Sequence, residues 1–284
     1  MPFWQRTRIT RSTGRERTPC VLTDAAAGEP LDRGAARVDH CLAFAREKLG
    51  ARIEPGAKIL DFGCGAGFHV RALLERGFDA WGVDVYDAWN REALASAHPS
   101  SVVARLRLIE AIHPKLPFPD HTFDFCFSDQ VMEHVFDDEG VFAELIRVLK
   151  PDALSLHWFP GANYPFEGHV HLPFPWLCRY RGYLALCAML GLRGPGQRGM
   201  TWREVYARNV VIMRGNNYRP KKALRAAARR VGGKIEFVER EELAFRGGGR
   251  LGKVYGLAAR LGVGGLLLFF VGFAAQRCMV LRAT

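Results

Sequence analysis

The distribution of hydrophobic and polar positions is most informative between residues 58 and 84. A short apolar run ends at Asp61, and a turn with glycine at every second position, 63–67, follows it. Residues 68–76 repeat apolar positions with a helical period, and a second short apolar run ends at Asp84. This order predicts a strand, a glycine loop, a helix and a second strand, which form one half of a nucleotide-binding unit in a doubly wound sheet.

The same kind of pattern continues along the rest of the chain. It predicts helices at 31–49, 90–97, 141–149, 179–190 and 220–230, and further strands at 105–110, 123–127, 153–159, 234–239 and 276–282. With the two strands of the first unit, these strands make a sheet of seven. Because helices and strands alternate, we expect an α/β fold with a doubly wound, mostly parallel sheet.

Composition limits the classes of protein to consider. The chain has 284 residues, of which 49% are hydrophobic and 24% charged, so it is globular rather than disordered. Seven cysteines are scattered without a Cys-x-x-Cys pair, which indicates reduced thiols in the cytoplasm rather than a disulfide framework or a zinc site. No stretch near the first residue is typical of a signal peptide.

Charge is distributed unevenly along the chain. Residues 1–167 carry 24 acidic and 19 basic residues, whereas residues 168–284 carry 5 acidic and 21 basic residues. The second half is therefore expected to meet something anionic, such as a phosphorylated substrate, a membrane surface or nucleic acid. Residues 261–275 carry no charge and follow several basic residues. They suit either shallow attachment to an anionic membrane or packing within the domain or at a dimer contact.

The glycine loop discriminates between two kinds of nucleotide fold. A dinucleotide-binding loop requires G-x-G-x-x-G, and the loop at 61–67 reads D-x-G-x-G-x-G instead. Together with Asp84, this motif resembles the first motif of class I S-adenosylmethionine-dependent methyltransferases. The later order PFPD, FD, EHV and RVLKP is similar to the branch of that family found in quinone biosynthesis, and the resemblance covers about residues 55–160. One departure is the turn at 150–153, which reads KPDA where the family usually has KPGG; Asp tolerates left-handed backbone geometry, so the turn is expected to survive.

The resemblance implies that S-adenosylmethionine is the cofactor. The residues expected to bind it are Asp61, Gly63, Gly65, Gly67, Asp84, Val85, Glu110, Ser128 and Asp129. Asp84 is suited to accept hydrogen bonds from both ribose hydroxyls, and Glu110 is expected to meet the amino group of adenine. Ser128 and Asp129 follow the fourth strand, at the edge where open α/β sheets place their chemistry. The resemblance also implies that the last two strands pair as an antiparallel hairpin.

Methyl transfer from a sulfonium is an in-line displacement, so the protein mainly aligns the reactants and sometimes supplies a base. The candidate catalytic residues are His134, His169 and Glu133. A structural role stays open for Glu133 and His134, which also suit capping of the next helix or bonding to the backbone. His169 and His171 are expected to point to one face of an extended segment, but the sequence offers no third ligand, so no metal site is predicted. His157 is expected to be buried and hydrogen-bonded.

The chain divides into four predicted segments. These are a basic flexible arm at 1–30, a cofactor-binding core at 31–160, a substrate cap insertion at 161–232, and C-terminal strands with a hydrophobic helical insertion at 233–284. The cap segment has no acidic residue between 168 and 203. It resembles the caps of methyltransferases that act on sugars, lipids or lipid-linked saccharides.

The predicted function is methyl transfer to oxygen of a small, saccharide or lipid-linked acceptor. The enzyme is expected in the cytoplasm, where the inner face of the membrane is a candidate anionic partner. Two alternatives stay open: a nucleic-acid methyltransferase, and a non-catalytic protein that kept the fold and the cofactor. Nucleic acid is disfavoured because the Asn/Asp-Pro-Pro-aromatic motif does not follow the fourth strand. The sequence leaves the oligomeric state open.

Overall fold

The computed structural model describes residues 31–85, 94, 97–161, 166–246 and 276–284. The predicted basic arm at 1–30 and the apolar insertion at 261–275 lie outside these residues, as does most of the helix predicted at 90–97. Among the helices in the described part of the chain, none is both long enough and apolar enough to cross a membrane.

Seven of the nine described strands lie where the hydrophobic pattern predicts them, and the short strands β6 and β7 were not predicted. Their bounds are β1 Lys58–Phe62, β2 Asp79–Asp84, β3 Leu106–Leu108, β4 Phe123–Asp129, β5 Leu149–Phe159, β6 Phe166–Glu167, β7 Leu172–Pro173, β8 Gly233–Phe237 and β9 Arg277–Ala283. Seven of these described strands form one sheet in the order β3-β2-β1-β4-β5-β9-β8, and β6 pairs with β7 alone. β9 is antiparallel to β5 and β8, and the other neighbours in the sheet are parallel. The predicted doubly wound, mostly parallel sheet with an antiparallel final pair is confirmed.

Helices cover both faces of this sheet. Their bounds are α1 Leu31–Leu49, α2 Phe68–Glu75, α3 Ser100–Val103, α4 Asp138–Val148, α5 Arg181–Met189, α6 Trp202–Arg214, α7 Lys221–Arg230 and α8 Glu239–Phe245. Ile59 of β1 packs with Phe44 of α1 and Leu73 of α2, whereas the next residue, Leu60, packs with Phe142 of α4 on the opposite face. Because both faces are covered, the central strands are apolar at nearly every position.

The turn into β5 shows how the chain departs from the usual family sequence. The predicted strand at 153–159 begins earlier, at Leu149, and its pairing with β4 shifts register between Phe123 and Phe125. Asp152 lies within this irregular stretch at φ 66°. Its short side chain tolerates the left-handed conformation that glycine would otherwise supply. The expected turn is therefore an irregular part of β5 rather than a separate turn.

A second, smaller core lies in the segment predicted to be a cap. Val170 and Leu172 pack with Leu184 and Cys187 of α5, and side chains of α6 lie against them. α7 instead packs through Leu224 on the core of the main sheet. The division of the chain into core, cap and C-terminal segments stays a prediction.

Arg147, in the last turn of α4, holds the loop that leads into β4. Its guanidinium donates to the carbonyl oxygens of Leu116 at 3.0 Å and Phe118 at 2.8 Å, and to the carboxylate of Asp120 at 2.7 Å. It also pairs with both oxygens of Glu144, at 2.8 and 2.7 Å, and lowers the pKa of that carboxyl. Glu144 in turn accepts a hydrogen bond from the Leu116 N–H at 2.7 Å. One side chain therefore satisfies most of the polar groups of this loop.

We expect Arg147→Ala to lower the free energy of unfolding by about 2–3 kcal/mol, because several carbonyl and carboxylate groups lose their donor. The lowered pKa of Glu144 contributes stability that is present above its unfolded pKa and is lost as the pH falls through the folded one. The free energies of unfolding of the wild type and the variant should therefore become closer in acid when they are measured by denaturant unfolding at a series of pH values. As a control, Arg71→Ala breaks an exposed pair with Glu75 and should cost at most about 0.5 kcal/mol. Equal losses in the two variants would contradict the role of Arg147.

Candidate active site

The glycine loop connects β1 to α2 at the carboxyl edge of the sheet. Gly63, Gly65 and Gly67 have φ values of 79°, 48° and 81°, which side chains disfavour. The N–H groups of Gly63 and Cys64 donate to the carbonyl oxygen of Val83 at 2.8 and 3.0 Å, so the loop is fixed to the end of β2. The loop therefore has the sharp backbone turn that the sequence predicts.

Gly63 also makes a close approach that no other residue permits. A Cβ atom built there would lie 2.2 Å from the Cγ2 atom of Val131, which belongs to the chain that follows β4. Val131 leads directly into the 3-10 turn Met132–His134. The turn that carries two candidate catalytic residues is therefore packed against the predicted cofactor loop.

Asp84 lies beside the glycine loop, as the motif requires. One carboxylate oxygen accepts a hydrogen bond from the Gly65 N–H at 2.8 Å, and the other accepts one from the Val85 N–H at 2.7 Å. Burial raises the pKa of Asp84, and these two hydrogen bonds partly oppose the shift. The structure thus brings Gly65, Asp84 and Val85 together at the end of β2.

Asp61 is a buried acid at the start of the loop. Its exposed fraction is 1%, and neither carboxylate oxygen has a hydrogen-bond partner among the described residues. The Nδ1 atom of His69, on α2, lies 3.4 Å from one of these oxygens. A buried carboxylate without hydrogen bonds is costly, so it suits a ligand that brings N–H donors and positive charge. This donor set fits S-adenosylmethionine, which carries an ammonium and a sulfonium.

The other predicted cofactor residues lie in three different settings. Glu110 is exposed beyond the end of β3, and nothing in the described chain bonds to its carboxylate. Ser128 is fully buried, and its hydroxyl pairs at 2.7 Å with Nδ1 of His157 inside the sheet. Asp129, at the carboxyl end of β4, receives both arms of the guanidinium of Arg37 at 2.7 and 2.8 Å. Their roles toward the cofactor stay predictions.

Two further details follow from these contacts. His157 is buried and bonds Ser155 as well as Ser128, which confirms its predicted structural role, and burial lowers its pKa to about 3.

Arg37 was missed by sequence reasoning, although it joins α1 to the carboxyl edge of the sheet and stacks 4.4 Å from the centre of the Trp158 ring. A single arginine on a helix face gives no sequence signal for a partner 92 residues away.

The candidate catalytic residues Glu133, His134 and His169 form one polar cluster. The Nε2 atoms of His134 and His169 lie 3.2 Å apart, and Glu133 Oε1 lies 4.0 Å from Nε2 of His134. The Nδ1 atom of His169 lies 2.8 Å from Oε1 of Glu167, which also accepts a hydrogen bond from the Tyr218 hydroxyl. The fold therefore joins the turn after β4 to two segments of the predicted cap.

The protonation equilibria of this cluster are shifted in opposite directions. Burial raises the pKa of Glu133 to about 7 and lowers the pKa of His134. Burial also disfavours the charged form of His169, but the hydrogen bond and charge of Glu167 outweigh it and raise the pKa. Glu167 itself has a lowered pKa, because its bonds to His169 and Tyr218 outweigh its burial. Opposed shifts of neighbouring groups are typical of functional sites.

One expectation for this region is wrong. Residues 168–171 form a turn rather than an extended strand, and His171 has φ 55°, so His169 and His171 do not share a face. His171 contacts Phe166, away from the cluster.

Of the structural roles left open for Glu133 and His134, capping is taken by Asp137, which is the N-cap of α4 and accepts from the Gly140 N–H. Bonding to the backbone is seen for His134, whose Nδ1 atom lies 2.9 Å from the carbonyl oxygen of Gly215.

Comparisons with known proteins agree with this geometry. Residues 60–156 match the family described as Methyltransferase domain. The sterol 24-C-methyltransferase ERG6B of Gibberella zeae is 34% identical over 130 residues, which is 45% of this chain and 33% of that protein. The sterol 24-C-methyltransferase erg6 of Aspergillus fumigatus is 32% identical over 127 residues, 44% of this chain and 32% of that protein. The chain thus spans about a third of the length of these curated relatives.

One of the similar solved structures aligns with most of this chain at low sequence identity. It is a geranyl diphosphate methyltransferase in complex with its cofactor, with 18% identity, 90% of this chain and 92% of that chain covered, and a TM-score of 0.44.

The seven-stranded sheet, the glycine loop and the family match together define a class I methyltransferase core. Residues 60–156 match the methyltransferase domain family, and the glycine loop with Asp84 is the part of the chain predicted to bind S-adenosylmethionine. The predicted fold and the resemblance to class I methyltransferases are therefore confirmed, and the reaction and its acceptor are separate questions.

We expect Asp84→Asn to weaken binding of S-adenosylhomocysteine at least tenfold, because a neutral amide replaces a charged acceptor of hydrogen bonds. Titration calorimetry on the full chain measures the affinity. Asp79→Asn is the matched control, since Asp79 begins the same strand at the opposite edge of the sheet, where it pairs with Arg105. Unchanged affinity in Asp84→Asn would show that this carboxylate does not bind the cofactor.

Proposed function

We propose that this protein transfers a methyl group from S-adenosylmethionine to a lipid-like acceptor. The observation that carries the proposal is the contact between Gly63 and Val131, which sets the turn with Glu133 and His134 beside the cofactor loop. The names of the curated relatives supply the acceptor class, since these proteins are sterol methyltransferases.

The cofactor side of the reaction is assigned to the residues of the glycine loop and the two acids beside it. When bound, S-adenosylmethionine supplies a methyl group on a positively charged sulfur. Asp61 is placed to compensate positive charge in a buried setting, and Asp84 is placed to bind ribose hydroxyls. The N-terminus of α2 leaves backbone N–H groups for polar atoms of the ligand. These groups align the methyl carbon rather than change its reactivity.

The acceptor side is assigned to Glu133, His134 and His169. They lie on the turn after β4 and on the first segment of the cap, so an acceptor held by the cap meets them first. The earlier expectation of an oxygen acceptor receives no support from the curated relatives, whose names state methylation of carbon. We therefore propose carbon as the methylated atom.

A lipid-like acceptor also agrees with the surface of the cap. Three exposed apolar residues lie on one side of α5 and its C-cap at helical spacing. They are Leu186, Met189 and Leu190, which are 49%, 57% and 70% exposed. Exposed arginines, Arg179 and Arg181, lie at the start of the same helix, and no acidic residue occurs from 168 to 203. An apolar ridge with a basic flank suits an anionic lipid surface, so we propose that the acceptor is taken from such a surface.

The reaction is tested with S-adenosylmethionine labelled in its methyl group and lipid extracts that contain sterols. We expect label in an organic-soluble product that wild type forms and Asp84→Asn does not. Treatment with hydriodic acid releases methyl groups bound to oxygen as methyl iodide, so retention of the label in the neutral lipid fraction, which contains no amine, identifies carbon. Label in water-soluble saccharide or in RNA, with none in lipid, would overturn the acceptor class.

The lipid surface is tested by flotation with vesicles of phosphatidylcholine, with and without phosphatidylglycerol. Wild type should float with the anionic vesicles, and the double variant Met189→Glu with Leu190→Glu should lose at least about tenfold in affinity, because two apolar contacts become repulsive. Ile112→Glu is the control, since Ile112 is 66% exposed and lies outside the cap. Equal flotation of all three proteins would remove this docking surface.

A further inference from the structure

The ring nitrogens of His134 and His169 face each other without a donor between them. Nδ1 of His134 lies 2.9 Å from the carbonyl oxygen of Gly215, and Nδ1 of His169 lies 2.8 Å from a carboxylate oxygen of Glu167. These oxygens only accept hydrogen bonds, so both Nδ1 atoms carry the hydrogen. In neutral rings, each Nε2 atom then carries a lone pair, and the two Nε2 atoms are 3.2 Å apart. Either a proton shared between the two nitrogens or a metal cation that both nitrogens bind makes this separation favourable.

Glu133 adds a buried carboxyl group to the same place. It is 1% exposed, and its two carboxylate oxygens have no hydrogen-bond partner in the part of the chain that the structure describes. The nearby Arg219 is committed elsewhere, since it pairs with Asp138 at 2.8 Å and donates to the carbonyl oxygen of Met132 at 2.6 Å. Burying a carboxyl group without a partner is unfavourable. The oxygens of Glu133 are therefore free to bind a cation.

We propose that Glu133, His134 and His169 bind a divalent transition metal, with zinc as the ion that fits best. The three candidate ligand atoms all lie within 4.8 Å of one another. Zinc–nitrogen bonds of about 2.0–2.1 Å in tetrahedral geometry set the two nitrogens roughly 3.3–3.4 Å apart, and the separation here is 3.2 Å. Two histidines and one glutamate are a known ligand set of catalytic zinc, which keeps a fourth position open.

The partners of the two imidazoles support the same assignment. A metal-binding histidine usually donates its other ring N–H to a carboxylate or a backbone carbonyl, which fixes the ring and the tautomer. Glu167 and Gly215 are such partners for His169 and His134. Tyr218 and the Val170 N–H in turn hold Glu167 in position. The outer contacts of a zinc site are therefore already built.

The open position is accessible, because the side chain of His134 is 43% exposed. It suits a water molecule or an oxygen atom of the acceptor, which the metal would hold and polarise beside the cofactor loop. This use of the metal rests on the proposed function. The binding of the metal does not, so the two are tested separately.

The test compares His169→Ala with His171→Ala in the full chain without an affinity tag. These histidines are two residues apart, but only His169 belongs to the cluster. Chelator-treated protein is titrated with zinc by calorimetry, and thermal unfolding is followed with and without zinc. Wild type and His171→Ala should bind one zinc ion per chain and gain stability, whereas His169→Ala should lose at least about a hundredfold in affinity.

Two more variants guard against misfolding of the first. Glu133→Gln keeps the shape of the buried side chain and removes its charge, and Glu167→Gln weakens only the outer partner, so it should lose roughly 10–100-fold in affinity. Cobalt bound in place of zinc should lack the intense absorption of thiolate ligands, which separates this site from the buried cysteines. Wild type that binds no zinc, or variants that bind as wild type does, would overturn the proposal. Zinc binding without lipid methylation would overturn the proposed function alone.

Discussion

The missing side chain at Gly63 is the constraint on which the candidate active site depends. It lets Val131 pack on the glycine loop, and the turn with Glu133 and His134 follows at once. The parallel pairing of β1 with β4 sets the two chain ends side by side, and close packing then fixes their separation. The cofactor half and the acceptor half are thereby parts of one rigid edge. Any side chain at Gly63 has to push them apart.

Buried carboxyl groups without hydrogen bonds are the second organising feature. Asp61 on the cofactor side and Glu133 on the acceptor side are each 1% exposed, and their carboxylates lack hydrogen bonds to the described residues. Other acids near them have partners: half-buried Asp129 pairs with Arg37, and buried Glu167 pairs with His169 and Tyr218. These two unsatisfied groups lower the stability of the fold at the same edge of the sheet, and ligands with positive charge are expected there.

The predicted cap connects the carboxyl edge of the sheet to a surface that is apolar and basic. Its own small core supports α5, while Glu167 and His169 reach down to the turn after β4. The outer side of α5 is apolar and basic, in contrast to the acidic first half of the chain. A lipid-like acceptor, a route from an anionic surface and a polar cluster at the end of that route are consistent with one another. The chain matches only about a third of its sterol methyltransferase relatives, and the acceptor is proposed on that basis.

The sequence by itself determined the sheet, the glycine loop and the pairing of Asp84 with that loop, because these depend on local periodicity and on spacing within one strand–helix–strand unit. The sequence also indicated His134 and His169 as candidate catalytic residues, but it did not indicate that their imidazole rings are in contact. Only the tertiary structure placed His169 against His134, turned His171 away and brought Arg37 to Asp129. The physical reason is that these contacts join segments far apart in the chain, and a periodic pattern carries no information about which distant side chains become neighbours.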